Sequence, residues 1–293
     1  DAQILAKLDP ITGEAHILKD GKDVTPAGFG RIAAQTAKQV IMQKIRETEK
    51  EALIKEYSDL VGTIVQGTIF RIEDGIAILD LGKIHGILPP SEQVEIDEYR
   101  LGQKLKVLIK EARDSGRGPE VLVSRADPDF VIKLFEQEVP EILNGVVKIE
   151  AIAREAGSRT KMAVSSTDSR IDPVGSCVGQ KGVRVQAVIQ EIRGEKVDIV
   201  PFSENEAKFI AAALSPAKVT DVELNREEKI ALVTVPEDQQ SLAIGKDGQN
   251  ARLANKLTKW RIDIKGVAGQ YSADESSEKP VEKESIGPKG TSG

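Results

Sequence analysis

The chain has one cysteine, Cys177, and two histidines, His16 and His85, in 293 residues. A single cysteine closes no internal disulfide, which is the usage of a reducing compartment, and a cytoplasmic location is expected. Two imidazoles and one thiol are too few for a zinc cluster of the usual Cys/His kind, so no metal and no cofactor is expected. Aromatic residues make up only 3% of the chain; each core must therefore be assembled from Val, Ile, Leu and Ala, which suits small α+β modules. No apolar run approaches the roughly 20 residues that cross a bilayer, and no basic start followed by a short apolar stretch marks a signal peptide. No Walker loop or nucleophile elbow is present, and Gly28-Phe29-Gly30 follows no clear strand and has no third glycine, so no dinucleotide site is expected. A binding protein is expected rather than an enzyme.

What remains is enough to fold. With 40% hydrophobic residues the chain can bury several small cores, and two to four domains are expected. The net charge of −6 argues against a general polyanion binder, but distribution matters more than the total. Arg154, Arg159, Lys161, Arg170, Lys181 and Arg184 stand against Glu155, Asp168 and Asp172 in one stretch. Lys246, Arg252, Lys256, Lys259 and Arg261 stand against Asp247 in another.

The chain begins at Asp1 without a methionine, inside what reads as a small α/β element, so 1–60 is expected to be part of an N-terminal region with its connecting helix. From Gly28 to Tyr57, Ile32, Ala33, Ala37, Val40, Ile41, Ile45 and Leu53 recur mostly at helical spacing, with Thr25 as N-cap and Pro26 in the first turn. Over 61–126 the pattern changes to five β-rich runs separated by glycine turns, which suggests a small barrel. The strings G-x-I-V-x-G, D-G-I-A-I-L, H-G-I-L-P-P-S-E, L-G-Q-K-L-K-V and L-V-S-R in it are similar to the OB-type RNA-binding domain first named in ribosomal protein S-one. OB folds stack bases on aromatic side chains. Ile76 stands where that domain usually has an aromatic. His85 is kept as a candidate RNA contact, and Phe70 and Tyr99 are read as core or turn residues.

Beyond the barrel the chain repeats itself. Residues 127–202 read as helix, two strands, two helices and a strand, and 203–266 give the same order. Gly179 and Gly245 are 66 positions apart, as are Gly182 and Gly248, and a fixed spacing means two copies of one unit. Each copy places G-x-x-G between short helices, V-G-Q-K-G-V-R-V and I-G-K-D-G-Q-N-A, the signature of a KH module. Glycine is needed there because a nucleic-acid backbone must approach the main chain closely, and the helix that follows favours phosphate at its N-terminus. The expected RNA contacts are Gly179, Gln180, Lys181, Gly182 and Arg184 in the first copy. In the second they are Gly245, Lys246, Asp247, Gly248, Asn250, Arg252 and Lys256. Gln180 and Lys181 leave the first loop one cation, whereas Lys246 and Asp247 nearly cancel, so the first loop should hold phosphates more firmly. Cys177, without a nearby His or Asp in sequence, reads as buried packing. The segment from Val200 to Ala217 is too compact for a flexible linker, and its helix is expected to start at Ser203 with Glu206 completing a capping box. After Gly266 the composition turns to Ser, Glu, Lys, Gly and Pro, and 267–293 is expected to be a disordered tail.

The strings A-K-Q-V-I-M-Q-K-I-R, D-P-V-G-S-C-V-G-Q-K-G-V-R-V-Q, G-E-K-V-D-I-V and D-Q-Q-S-L-A-I-G-K-D-G-Q-N-A-R-L-A give a chain that resembles the NusA family of bacterial transcription factors over nearly its whole length. The resemblance implies a multidomain α+β protein: a partial N-terminal α/β region with a long helix, a five-stranded OB-type barrel and two tandem type II KH domains. It further implies contact with RNA polymerase through the N-terminal region and binding of nascent single-stranded RNA by barrel and KH pair. Modulation of pausing, termination and antitermination alongside other such factors, and a monomer without membrane attachment, complete the expectation. Two rivals are weighed. A phosphorolytic exonuclease would place such modules after a catalytic core, and a small translation-associated KH protein would not need the long helix before the barrel.

Overall fold

The computed structural model describes residues 4–9, 12, 14–26, 28–116 and 118–267; apart from Val267, the segment read as a disordered tail lies outside the described residues. Strands β1 (Ile4–Leu8), β2 (Ala15–Lys19) and β3 (Lys22–Asp23) pair antiparallel in that order, and the 30-residue helix α1 (Phe29–Ser58) follows. The expected Thr25 cap is not made, because strand β2 competes for its hydroxyl: Thr25 Oγ1 accepts the Ile17 N–H at 2.9 Å and donates to Asp23. Gly28, at φ 85°, occupies the N-cap position instead. The apolar residues Val40, Ile41 and Ile45 of α1 remain exposed. Its last turns are anchored on the next module by Tyr57, whose ring is buried and whose hydroxyl donates to Leu81 O at 3.1 Å. The ion pairs Lys50–Asp114 and Lys83–Glu56 add to that anchorage.

Strands β4 (Ile64–Glu73), β5 (Ile76–Asp80), β6 (His85–Leu88), β7 (Lys104–Asp114) and β8 (Pro119–Ser124) close into a barrel in the order β4-β5-β6-β8-β7. Alternation drives the closure. Ile69, Leu79, Val107, Ile109, Val121 and Val123 point inward and are fully buried, each contributing roughly 2 kcal/mol of transfer free energy. Tyr99 packs against that core, its hydroxyl accepting the Val94 N–H at 2.9 Å and donating to Asp97; burial pushes its pKa up to about 12.

The first repeat comprises α2 (Pro128–Glu138), α3 (Pro140–Leu143), β9 (Val147–Glu155), β10 (Arg159–Ser166), α4 (Pro173–Val178), α5 (Val183–Glu191) and β11 (Lys196–Pro201). The second comprises α6 (Glu206–Ala213), β12 (Asp221–Asn225), β13 (Ile230–Pro236), α7 (Glu237–Ile244), α8 (Gln249–Thr258) and β14 (Arg261–Val267). In both sheets the middle strand runs antiparallel to the first strand of the repeat and parallel to the last. The single helix expected at the start of 127–202 is two helices, because Pro140 has no N–H to donate and its ring excludes a continuous turn. Asn205, not Ser203, caps α6 by accepting the Lys208 N–H at 3.0 Å. Ser203 Oγ instead accepts the N–H of Asn205, and Glu206 pairs with Arg226 at 3.1 Å rather than closing a capping box.

The repeats share one core. Ala153, Ala163 and Val200 of the first pack with Phe209, Ile210 and Leu214 of the second, and the fully buried Lys161 donates to Ser215 O at 2.8 Å while pairing with Asp198 at 3.1 Å. Burial pulls the Lys161 pKa down, opposed by Asp198. The barrel is joined to the first repeat through Arg125, which bonds Asp97 at 2.5 Å, Lys106 O at 2.7 Å and Glu191 O at 2.9 Å from a side chain that is 2% exposed. No helix among the described residues is long and apolar enough to cross a membrane.

Cys177 is fully buried on α4, and burial, then the nearby Glu141 carboxylate, pushes its thiol up to about 12. The thiolate is the nucleophile, so the folded protein should stay unalkylated by iodoacetamide at pH 8 while the guanidinium-unfolded chain gains one adduct by mass. Equal rates in both states would contradict the buried placement.

Candidate nucleic-acid interface

The two glycine loops have the same backbone. Gly179 holds φ 75° and ψ 171° and Gly245 holds φ 76° and ψ 173°; Gly182 and Gly248 sit at φ 78° and 73°. Between them Lys181 and Asp247 both adopt φ 52°, a left-handed position in non-glycine residues. The first glycine of each loop is doubly constrained. A Cβ on Gly179 would lie 2.8 Å from Arg184 Cγ, and one on Gly245 would lie 2.8 Å from the backbone nitrogen of Asn250. In each loop the second-glycine N–H returns to the first-glycine carbonyl, at 3.1 and 3.2 Å. That tight turn delivers the chain directly into α5 or α8, and the first turn of a helix leaves N–H groups without helical partners, suited to phosphate. Gln180, Lys181, Lys246 and Asp247 are exposed at the tips.

The helix residues sort differently from their sequence positions. Arg184 is half-buried, holding Glu141 at 2.9 Å and donating to Ser176 O at 2.7 Å, so it braces α4 against α3 and α5. Its counterpart 66 positions on, Asn250, is 1% exposed. The Asn250 amide donates to Ala243 O and Leu214 O, both at 3.0 Å; it is buried scaffold, which corrects its assignment as an RNA contact. Arg252 reaches back to the first repeat and pairs with Glu155 at 2.6 Å, where Gln249 also bonds Glu155 and Ser158. The Arg252 guanidinium, and Gln249 after it, hold the Glu155 carboxyl below its ordinary pKa. The second loop is thus fixed to the β9–β10 turn of the first repeat. Lys256 is exposed on the same helix.

The basic stretches are less basic than their composition. Arg154 pairs with Glu195, Arg159 and Lys161 with Asp198, Arg170 with Asp168 and Arg184 with Glu141. Among the described residues of the two basic stretches, Lys181, Lys246, Lys256 and Lys259 are exposed lysines that make no ion pair, the first two on the loops and the last two at the far end of α8.

On the barrel, His85 is exposed at the start of β6 and stacks against Phe70, ring centroids 4.8 Å apart. The reading of Phe70 as core or turn is overturned: it is 44% exposed. Its place in the strand explains why. Phe70 follows the fully buried Ile69 in β4 and so faces outward by strand alternation, at the point where the β4–β5 register shifts between Ile69 and Arg71. Alternation against Ile69 was the signal in the sequence that places Phe70 outward. The Glu155 anchor was also missed, since its partners lie more than 90 residues away.

A closed five-stranded barrel followed by two interlocked KH modules defines a single-stranded RNA-binding architecture. Family models agree along the chain: NusA N-terminal domain over 5–51, S1 RNA binding domain over 59–124, NusA-like first KH domain over 125–202 and NusA-like second KH domain over 206–271. The chain belongs to the NusA family. It is 50% identical over 243 residues, 83% of its length, to the transcription termination/antitermination protein NusA of Bacillus subtilis. To those of Thermus thermophilus and Mycobacterium tuberculosis it is 43% and 45% identical over 262 and 266 residues, 89% and 88% of its length. It spans 66%, 67% and 77% of those three proteins respectively.

Proposed function

We propose that this chain is a transcription factor that binds RNA polymerase and nascent single-stranded RNA, modulates pausing, termination and antitermination, and acts in the cytoplasm as a monomer without catalytic activity. The observation that carries the reading is the pair of glycine loops with superimposable dihedrals, 66 residues apart and locked in register by a shared core. Such a surface favours one strand threading both modules over two tethered contacts. Its domains divide as an N-terminal region to about residue 60, the barrel, the two KH modules and a tail. The polymerase contact is assigned to the N-terminal region, supported by the family match over 5–51, with other termination or antitermination factors as further partners.

The test is RNA affinity by fluorescence anisotropy across a salt series, with polymerase pull-down on the same preparation. Each neutralised phosphate on a single strand contributes ~0.7 to the slope of log affinity against log salt. With Lys181, Lys246, Lys256 and Lys259 as unpaired cations, about three to four phosphates give a slope of roughly −2 to −3. A slope near zero, or equal affinity for duplex RNA, contradicts the phosphate-cradle reading, and no polymerase in the pull-down contradicts the polymerase assignment.

A further inference from the structure

Arg252 makes two different contacts in the second repeat. Its Nε and Nη2 donate to the two carboxylate oxygens of Glu155, at 2.6 and 3.2 Å, and its Nη1 donates to the Asp247 carbonyl at 2.9 Å. The first contact crosses from α8 to the β9–β10 turn of the other module, and the second ends on the tip of the second glycine loop. Asp247 holds φ 52° there, a left-handed conformation that costs a non-glycine residue energy and persists where its surroundings hold it. A charged donor on the Asp247 carbonyl is such a hold. Gln249, which opens α8, adds a second strut by donating to Glu155 at 3.0 Å and to Ser158 at 2.7 Å.

The turn that receives both struts is itself anchored. The Gly157 N–H donates to the buried Glu195 at 2.8 Å, and the Lys196 N–H donates to Ser158 O at 3.2 Å. A Cβ on Gly157 would stand 2.8 Å from Val94 Cγ1, so the turn also lies against the barrel. The tip of the second loop is therefore tied to a point where the barrel and the first repeat meet. The first loop is held from inside its own module instead, by Arg184 on Glu141 and Ser176 O. The residue 66 positions before Arg252 is Gln186, exposed and uncharged, so the brace belongs to the second loop alone. We infer that Arg252 and Glu155 are positioning residues for RNA binding: Glu155 aims Arg252 at the Asp247 carbonyl and so sets the second loop, and Arg252 is not among the cations that neutralise phosphate. This deepens the RNA-binding reading above and rests on it for its RNA arm, while the brace itself requires no RNA.

The experiment uses the full chain with Arg252→Gln and Glu155→Gln, against Lys246→Gln as the reference for a phosphate contact. Amide hydrogen exchange without RNA compares Gly248, whose N–H bonds Gly245 O, with Gly182, whose N–H bonds Gly179 O in the first loop. Exchange at Gly248 should speed up about tenfold in both Arg252→Gln and Glu155→Gln, the loss of one charge-assisted hydrogen bond, while Gly182 keeps the parent's rate. Affinity for a single-stranded RNA long enough to meet both loops is then measured across a salt series. Arg252→Gln should bind about fivefold more weakly with the parent's salt slope. Lys246→Gln should instead flatten the slope by about 0.7 and leave Gly248 exchange as in the parent. Glu155→Gln should steepen the slope by about 0.7, because the released guanidinium then meets a phosphate. Arg252→Lys keeps the charge but not the planar fork, so it should loosen Gly248 as Arg252→Gln does, and it stands in if that variant fails to fold. Parent exchange at Gly248 in Arg252→Gln would overturn the brace, and equal acceleration at Gly182 would reduce it to general packing and overturn it too. A slope flattened by about 0.7 in Arg252→Gln would also sink the proposal, because Arg252 would then be a phosphate contact. If the parent binds no RNA, the RNA reading fails, and the exchange comparison alone decides the brace.

Discussion

Replacing Arg154 by Met should destabilise the first KH module by about 3–5 kcal/mol, the cost of leaving a buried carboxylate without its partner. Arg154 and Glu195 are 1% and 0% exposed. Three guanidinium–carboxylate contacts between 2.9 and 3.2 Å join them, and Arg154 also donates to Arg125 O at 2.7 Å and Asp127 O at 2.8 Å. Glu195 accepts further from the Gly157 N–H at 2.8 Å and from the Thr160 hydroxyl. Removing the guanidinium therefore strands a carboxylate and frees two carbonyls at the point where the barrel's last strand enters α2. The melting temperature should fall by roughly 10 °C. Adding Glu195→Gln should return part of the loss, because the uncompensated charge, more than the missing attraction, carries the penalty. Urea melts followed by circular dichroism read both variants. A loss below about 1 kcal/mol for Arg154→Met would mean that the pair is open to water.

The same residue marks the limit of composition as a guide. In sequence, Arg154 counts toward a basic stretch beside the first glycine loop, and so do Arg159, Lys161 and Arg184; in the fold each is spent on a carboxylate contributed by another element. Those partners lie 37 to 43 residues away for Arg154, Arg159, Lys161 and Arg184, a separation that local pattern does not report. What pattern did report was periodic. The 66-residue repeat located both loops, and β-rich runs between glycine turns located all five barrel strands, because period and glycine placement are properties of single segments. The N-caps failed for a related reason: Thr25 and Ser203 are good caps in isolation, but β2 claims the first and Asn205 is better placed than the second. Asn250 stands among the expected RNA contacts only because it follows the second glycine loop in sequence. Its burial follows from the shared core beneath α8, which exists only once both repeats have folded together.

That internal repetition also supplies the control for changing the first loop. Gln180→Asp with Lys181→Asp should weaken single-stranded RNA binding by roughly 2 kcal/mol, about thirtyfold, without loss of fold. Position 181 demands a left-handed backbone at φ 52°, which most residues enter at a cost, yet Asp247 already occupies the matching position of the second loop at φ 52°. The chain itself shows that aspartate fits there. Both side chains are exposed, so no packing is lost, and the glycines that shape the turn are untouched. What changes is charge: one cation becomes two anions at the tip, a swing of three units beside the phosphate path, and the repulsion survives even in high dielectric at about 1 kcal/mol per close unit pair. Raising the salt should narrow the gap between variant and parent, since screening weakens repulsion along with attraction. In the second loop Lys246→Asp alone should cost less, as it shifts charge by two units next to an acid that already offsets it. Anisotropy with one labelled RNA on all three proteins ranks these losses. Equal affinity for the double variant, with the circular dichroism spectrum of the parent, would exclude the first loop from the RNA path, and a larger loss for Lys246→Asp would reverse the order of the two loops.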